Sequence, residues 1–210
     1  MSRKEEILDA AVAIADRHGL AAVSMRAVAE QVGVTPMALY PHIGSKAELL
    51  DAMVGRVLGE LLPLQAGTDW RDQLRRLAWA SRNLARRHPW VASLMFSRPS
   101  IAPDAVRVTD AIYQALLVAG VPAADVPRLE RLLSTFVLGY ALSETGGRFG
   151  PGSQDPRGTR GQLPDGPLPG HTRLTRWLAS PADWDEEFNA DVADLERLIE
   201  SLAVPRGAEQ

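Results

Sequence analysis

Apolar residues recur every three or four positions along almost the whole of this 210-residue chain, and this helical period leaves little room for other secondary structure. Near the start, Ile7, Ala11 and Ile14 follow one another at intervals of four and three residues. Near the end, intervals of 4-4-3-4-3 join Trp184, Phe188, Val192, Leu195, Ile199 and Leu202. No stretch keeps the two-residue alternation of a half-buried strand. The pattern predicts an all-α fold.

Composition excludes several classes of protein. Apolar residues make up 46% of the chain and charged residues 23%, which suits a packed core and not a disordered or fibrous protein. The absence of cysteine excludes disulfides, zinc–thiolate sites and a cysteine nucleophile. No run of about 18 apolar residues would span a membrane, and Glu5 and Glu6 stand where a secretory signal needs an apolar segment. We therefore expect a cytoplasmic protein that does not bind membranes.

Proline, glycine and capping residues divide the chain into segments. Ser45 to Glu48 reads as a capping box for a helix that runs to Leu62 and closes at Pro63, so residues 1–62 and 63–210 are predicted as two domains. Further helices are expected over 70–87, 90–96, 104–119, 122–144 and near 174–179, besides the last one. Eight glycines and five prolines fill 13 of the 25 positions of 146–170, which predicts a disordered surface loop.

The stretch from Ser24 to Leu49 carries the most specific signal. Ser24 begins a short helix that ends at Gly33, and Thr35 with Pro36 begins another that Pro41 keeps brief. Two short helices that meet at such a turn have the shape of a helix-turn-helix. From this geometry alone, an ordinary helical hairpin in an unrelated bundle fits equally well.

The residue types in this stretch favour the first interpretation. Their order, Ala29-x3-Gly33-Val34-x4-Leu39-Tyr40-x-His42-x3-Lys46-x2-Leu49, resembles the DNA-binding domain of the TetR family of transcriptional regulators. The likeness covers residues 3–62, since the preceding helix is also similar to the first helix of that family. Two positions depart from the family pattern: Ile43 stands where an aromatic residue is usual, and Pro41 separates Tyr40 from His42. The resemblance implies an N-terminal three-helix DNA-binding domain and a C-terminal helical domain that binds a ligand and dimerises.

Candidate DNA-binding residues follow from the position of each side chain. Tyr40, His42 and Lys46 lie between two helices and are expected to contact phosphate oxygens, as are the backbone N–H groups of the helix that begins at Ser45. Bases would be read from the exposed tip and the helix before it. The full set of predicted DNA contacts is Ser24, Arg26, Thr35, Pro36, Met37, Tyr40, His42 and Lys46. Tyr40 is alternatively a core residue, and His42 and Arg26 are alternatively solvated side chains.

Charge alone would not have suggested DNA. The chain carries a formal net charge of −3, and residues 1–62 hold six cations against eight anions. Affinity must therefore depend on where the cations point, and one protomer should bind weakly. A two-fold dimer would double the site.

The second domain is predicted to supply a pocket and a dimer interface. Candidate pocket residues are large and apolar or amphipathic: Trp79, Trp90, Met95, Phe96, Tyr113, Phe136 and Tyr140. Each of them is alternatively a plain core residue. Arg82 and His88 are expected at the surface, and the alternative is that they orient a polar group of the ligand. The candidate interface comprises Gly139, Ser143, Phe188, Val192, Leu195 and Ile199. The family resemblance implies the same interface, because its members usually dimerise through two C-terminal helices of each subunit. The loop before the last helix is also similar to that of the tetracycline-repressor branch.

These observations predict a ligand-responsive transcriptional regulator and not an enzyme. The partners expected are a palindromic DNA operator, a small-molecule effector and a second copy of the chain, with repression as the mode. The four histidines lie in separate segments without metal-ligand spacing, and no phosphate-binding loop or dinucleotide fingerprint is present, so no cofactor and no metal is expected. The alternatives are a helical-bundle enzyme and a regulator controlled by a protein partner.

Overall fold

The computed structural model describes residues 2–65, 69–97, 102–149 and 167–203. Within these ranges the fold is all-α, as predicted, with no strand. The α-helices are α1 (Arg3–His18), α2 (Met25–Val32), α3 (Lys46–Leu58), α4 (Trp70–Arg87), α5 (Pro89–Ser97), α6 (Pro103–Val118), α7 (Val126–Thr145), α8 (Pro169–Leu178) and α9 (Trp184–Leu202). Three 3₁₀ segments connect them, at Leu20–Ala22, Pro36–Ala38 and Gly59–Gln65. No helix in the described ranges is long and apolar enough to cross a membrane.

Local sequence signals account for where most of these helices begin. The side chains of Ser2, Ser24 and Ser45 each accept a hydrogen bond from a backbone N–H in the first turn of α1, α2 and α3. Asp69 and Asp183 do the same for α4 and α9. The helix starts predicted at Ser24 and Ser45 are therefore confirmed.

The segment after Thr35 is shorter than the helix predicted there. Only Pro36–Ala38 is helical, as a single 3₁₀ turn, and Thr35 accepts no capping hydrogen bond from the described residues. The chain then turns, and the N–H groups of His42 and Ile43 both donate to the carbonyl of Leu39 at 2.9 Å. Because Pro41 has no backbone N–H and disfavours helical geometry at the residue before it, the α-helix cannot propagate through this segment.

The helix after Ser45 does not close at Pro63. It changes from α to 3₁₀ geometry at Gly59 and continues through Gln65. Proline has no backbone N–H and cannot donate the i→i−4 hydrogen bond of an α-helix. The 3₁₀ segment begins four residues before Pro63, and the predicted end of the helix at Pro63 is wrong.

Boundaries also shift in the second half. α7 begins at Val126 and not at 122, because residues 123–125 form a turn and Pro127 occupies its first helical turn. α8 begins at Pro169, so the last two residues of the predicted 146–170 loop are helical. Residues 150–166, most of that loop, lie outside the described residues, and its predicted disorder stays a prediction.

One apolar core joins the two predicted domains. Ile7 of α1 and Leu49 of α3, both fully buried, belong to the same packed cluster as Leu84 of α4 and Ala92 of α5. α3 contacts α6, and α1 contacts α5. The N-terminal helices therefore rest directly on the helices that follow residue 63. The domain boundary at 62/63 stays a prediction.

Candidate nucleic-acid interface and cavity

The turn between α2 and the 3₁₀ segment is built by local geometry. Gly33 ends α2 in the left-handed conformation, with φ of 76°, which glycine adopts without the steric penalty of a Cβ. The Val34 N–H donates to the Ala29 carbonyl at 2.9 Å and closes the turn. Val28 and Ala29 are fully buried, which fixes α2 against its neighbours. The backbone thus forms a helix-turn-helix whose second element is shortened to a 3₁₀ turn.

Two buried side chains hold the exposed tip, which we define as residues 35–42. Leu39 is 1% exposed and Ile43 is 2% exposed, so both anchor the tip to the core. Ile43 therefore fills an apolar site where the family usually has an aromatic residue.

Around these anchors the predicted DNA-contacting side chains face solvent. Met37 is 73% exposed and Tyr40 44% exposed. The exposed set is completed by Arg26, Thr35, Pro36, His42 and Lys46. Ser24 is the exception, since it is half-buried and its hydroxyl caps α2 by accepting from the Ala27 N–H at 3.1 Å. The alternative that Tyr40 is a core tyrosine is therefore wrong.

The first turn of α3 is already capped from within the chain. The Glu48 N–H donates to the Ser45 hydroxyl at 3.1 Å, and the Glu48 carboxylate accepts from the Gly44 N–H at 3.3 Å. Lys46 projects from the same turn and is exposed. The N–H groups of Gly44 and Glu48 are therefore engaged within the chain. The phosphate contacts expected of Tyr40, His42 and Lys46 stay a prediction.

A cavity of about 310 Å³ lies in the second half of the chain. Leucine, valine, alanine and isoleucine side chains of α4, α5, α6, α7 and α9 form most of its wall. Leu58 at the end of α3 and Leu61 of the following 3₁₀ segment complete the wall on the side of the N-terminal helices. Apolar cavities of this size are typical small-molecule sites.

Of the seven side chains predicted to line a pocket, only Met95 lies on this cavity among the residues described. Phe96 is 55% exposed at the end of α5. Tyr113 packs on a separate apolar cluster between α6 and α7, and Trp90 is buried against α1. Trp79, Phe136 and Tyr140 pack around Phe188 instead. The prediction that these residues converge on one pocket is wrong for this cavity, and two of them, Trp79 and Tyr140, contact a buried cation instead.

That cation is Arg82, which is 0% exposed although the sequence placed it at the surface. Its guanidinium carbon lies 5.0, 4.9 and 4.7 Å from the ring centres of Trp79, Tyr140 and Phe188. Its Nε and Nη2 each donate to a carboxylate oxygen of Glu144 at 2.9 Å. The signal for this burial was present: Arg82 follows Ala78 by four residues and precedes Ala85 by three, on the apolar stripe of α4.

Ionisation in this cluster follows from its contacts. Burial would raise the pKa of Glu144, but hydrogen bonds from Arg82 and Arg86 outweigh it and hold that pKa below its ordinary value. The Arg86 hydrogen bond likewise lowers the pKa of Asp185. Burial raises the pKa of Tyr140 to about 12, and its hydroxyl donates to the Trp184 carbonyl at 2.7 Å. The carboxylates are therefore ionised and the phenol protonated at neutral pH.

His88 and Trp90 link the two halves of the molecule. The Trp90 Nε1 donates to Asp16 Oδ1 of α1 at 2.7 Å, and the His88 Nδ1 lies 2.8 Å from the same oxygen. His88 is thus largely buried, contrary to the surface position predicted. The same helix, α5, contributes Val91, Ala92 and Met95 to the cavity wall. α5 therefore contacts both the cavity and the first helix.

Three of the six predicted interface residues are enclosed by their own chain. Phe188, Val192 and Ile199 are 0%, 4% and 1% exposed, and Leu195 faces the cavity. Fully enclosed side chains offer no surface to a second subunit, so the interface prediction is wrong for these residues. Gly139 and Ser143 are half-exposed on α7. Among the described residues, no group of three or more metal-ligating side chains is placed to hold a metal ion.

A helix-turn-helix with an exposed tip, packed on a helical domain that encloses a cavity, defines a class of DNA-binding regulators. The family model of bacterial regulatory proteins of the tetR type matches residues 7–53, and the tetracyclin repressor-like C-terminal domain matches residues 62–198. An HTH-type transcriptional regulator from Saccharopolyspora erythraea is 30% identical, over 98% of this chain and 86% of its own length. The chain belongs to the TetR family of transcriptional regulators.

Solved structures share the fold along the whole chain. A TetR regulator from Streptomyces coelicolor superimposes with a TM-score of 0.80 at 25% identity, covering 97% of this chain and all of the other. ActR from the same organism, in complex with actinorhodin, gives a TM-score of 0.77 at 22% identity over the full length of both chains. The predicted fold class and family are confirmed.

Proposed function

We propose that this protein is a cytoplasmic repressor that binds a palindromic operator as a homodimer and releases it when a small molecule fills the cavity. One observation carries the proposal. α3 begins at Lys46, beside the exposed tip, and ends at Leu58 on the cavity wall. A single helix therefore connects the DNA-facing surface to the cavity. The actinorhodin complex of ActR, a protein of the same fold, supports a small molecule as the effector.

DNA binding through the tip is tested by separating phosphate contacts from base contacts. Lys46→Ala and Tyr40→Phe should weaken binding to all sequences alike, because phosphates are the same everywhere. Lys46→Ala should also lower the slope of log affinity against log salt by about one per contact. Arg107→Ala removes an exposed cation from α6, outside the helix-turn-helix, and serves as the matched control. Electrophoretic mobility shifts on the protein's own promoter measure both effects.

Sequence preference is assigned to the tip and to Arg26. Met37 and Pro36 offer apolar contact to a thymine methyl, and Arg26 offers donors to a guanine edge. Met37→Ala and Arg26→Ala should change which bases are selected from a randomised half-site library. If Lys46→Ala changed base preference and left affinity intact, the division of roles would be wrong.

The dimer is assigned to the outward faces of α7 and α9. Leu132 of α7 is 42% exposed and Leu198 of α9 is 39% exposed. Gly139 lies between Leu132 and Ser143 along α7. A Cβ added to Gly139 would meet no heavy atom within 4 Å among the described residues. This leaves room for a partner helix to approach. The interface proposed here does not include the buried residues of α9.

Gly139→Gln tests this surface cleanly. Replacing glycine inside a helix favours the helix by about 0.5–1 kcal/mol, so the protomer should fold at least as well. The side chain would nevertheless fill the space needed by the partner. Sedimentation should therefore show a monomer, and footprinting should show loss of protection over the paired half-sites. A stable dimer in Gly139→Gln would place the interface elsewhere.

Release by the effector requires that the ligand bind the non-operator form more tightly, and the shift in operator affinity cannot exceed that difference. We assign the coupling to a pivot of α3 as Leu58 and Leu61 yield to the ligand. Met95→Ala, on the cavity wall, should change the response to molecules that release the operator. Phe96→Ala, on the exposed side of the same helix, should not. Equal responses in both variants would place the ligand outside this cavity.

A further inference from the structure

Glu196 of α9 stands out within the cavity wall. It is 7% exposed and lines the cavity with its neighbours Leu195 and Ile199. One carboxylate oxygen, Oε2, accepts from Arg75 Nη2 at 2.6 Å. The other, Oε1, is buried and has no hydrogen-bond partner among the described residues. An enclosed acceptor of this kind is unfavourable until a donor reaches it.

The remaining polar groups of the wall are also rich in acceptors. Glu130 of α7 is the second carboxylate of the lining, and its Oε1 accepts from the Ser134 hydroxyl at 2.6 Å. Thr109 already donates to the Ala105 carbonyl. Among the described lining residues there is no lysine, arginine or histidine. Arg75 lies behind Glu196, and its side chain is 48% exposed to solvent. The cavity thus presents two carboxylates to its occupant and no cation.

We propose that the effector is an apolar molecule that carries a protonated amine, and that this amine donates a hydrogen bond to Glu196 Oε1. The inference rests on the proposed function, because it identifies the ligand class of the same cavity. The aliphatic wall binds the apolar body, and Glu196 fixes its orientation. Glu130, which accepts a hydrogen bond from the Ser134 hydroxyl, adds attraction for the positive charge of the amine.

Other polar head groups fit this wall less well. A carboxylate would face two carboxylates across a medium of low dielectric constant, with no cation of the lining to compensate it. A hydroxyl would supply the missing donor to Glu196 but would bring no positive charge to the two carboxylates. Hydrogen bonds to a charged group are the stronger kind when both partners are ionised. The expected order of affinity is therefore amine, then alcohol, then acid.

Three probes of equal length test this order: 4-phenylbutylamine, 4-phenylbutan-1-ol and 4-phenylbutyrate. Calorimetric titration into the full chain, without DNA, measures each dissociation constant. The amine should bind about tenfold more tightly than the alcohol, since hydrogen bonds between charged groups exceed neutral ones by about that factor. The acid should bind most weakly.

Two variants of α9 separate the role of Glu196 from a general charge effect. Glu196→Gln keeps the shape of the side chain and should reduce the advantage of the amine to less than about threefold. Arg75 can then turn to solvent, so the variant should fold, which circular dichroism checks. Glu200→Gln is the matched control, because Glu200 pairs with Arg71 one turn further along, as Glu196 pairs with Arg75, and it does not line the cavity. It should leave all three affinities unchanged.

Arg75→Gln distinguishes a ligand-binding carboxylate from a merely structural ion pair. If Glu196 binds the amine, loss of Arg75 removes a competing cation, and the amine should bind at least as tightly as in the native chain. A structural role would instead make Arg75→Gln and Glu196→Gln weaken the amine alike, and this result would overturn the inference. Equal affinity of amine and alcohol, or no binding of any probe, would overturn it too.

Operator binding is measured separately, by footprinting in the absence of these probes. A chain that binds its operator in footprinting, yet shows no preference for the amine, would disprove the ligand class while the proposed regulator stands. A chain that binds the amine through Glu196 but protects no operator would disprove the proposed function alone. The two failures are therefore distinguishable.

Discussion

Removing Glu144 should destabilise the protein far more than its position near the surface suggests. Glu144 receives two hydrogen bonds from Arg82, whose side chain is fully buried. In Glu144→Ala the one carboxylate left to the guanidinium among the described residues would be Asp185, which is 55% exposed and 2.8 Å from Nη2. Stripping one partner from a buried pair costs about 3–5 kcal/mol, because the remaining charge stays desolvated without compensation.

Replacing both partners should have a different outcome. Three aromatic rings surround the guanidinium, so a methionine at this position would enter an apolar environment. Arg82→Met combined with Glu144→Leu should lie between neutral and about 4 kcal/mol more stable than the native chain, since well-packed apolar pairs often replace buried ion pairs without loss. Asp185→Asn, which changes an exposed partner, should cost less than about 1 kcal/mol.

Urea unfolding followed by tryptophan fluorescence measures these differences, with protein concentration held constant because a dimer's stability depends on it. For a chain of this length each kcal/mol moves the melting temperature by about 2–4 °C, so Glu144→Ala should melt about 10 °C lower. The reasoning would be refuted if Glu144→Ala cost less than about 1 kcal/mol. It would also be refuted if the double variant were as unstable as Glu144→Ala, since the cost would then not come from an uncompensated charge.

Three further outcomes follow from the contacts of the Arg82 cluster and of Trp90. Folding lowers the pKa values of Glu144 and Asp185. The stability that the two carboxylates contribute is therefore complete above their ordinary pKa values and is lost as the pH falls through their pKa values in the folded protein. The unfolding free energy should depend less steeply on acid pH in the Arg82→Met, Glu144→Leu variant. The pKa of Tyr140 is raised to about 12, so the stabilisation from its protonated form is lost as pH rises from 10 through 12, and phenolate absorbance should show one late-titrating tyrosine that disappears in Tyr140→Phe. Trp90→Phe removes the donor to Asp16, a contact between α5 at the cavity and α1. Operator affinity without effector should therefore stay near normal, whereas release by the effector should be reduced. Fluorescence anisotropy of labelled operator measures both.

Much of the helix-turn-helix could be predicted because its determinants are close in sequence. Ser24 and Ser45 cap the helices that begin right after them, and Gly33 adopts the positive φ that its lack of a Cβ permits. The exposed row of Met37, Tyr40 and their neighbours follows from the two buried anchors a few residues away. Even the departure at the tip, where a 3₁₀ turn replaces the predicted helix, has a local cause in Pro41.

The cavity could not be predicted residue by residue. Large aromatic side chains are the natural candidates for a pocket, yet three of the six, Trp79, Phe136 and Tyr140, pack around Phe188. The cavity is the volume left between α4, α5, α6, α7, α9 and the end of α3, and aliphatic residues line it. No pattern within one helix reports how six segments fit together. The sequence does not single out Glu196 for the same reason, because only its neighbours in space show that one of its oxygens lacks a partner among the described residues.

By itself, the sequence determined the all-α fold, the positions and caps of most helices, and the residues that mark the TetR family. These follow from periodicity, from hydrogen bonds between near neighbours and from residue types at fixed spacing. Only the tertiary structure decided which surface covers each apolar stripe. Period 3.6 shows that one face of α9 must be buried, but it does not distinguish burial by the same chain from burial by a second copy. Packing within the chain claimed Phe188, Val192 and Ile199, and it buried Arg82 where two carboxylates and three rings compensate its charge.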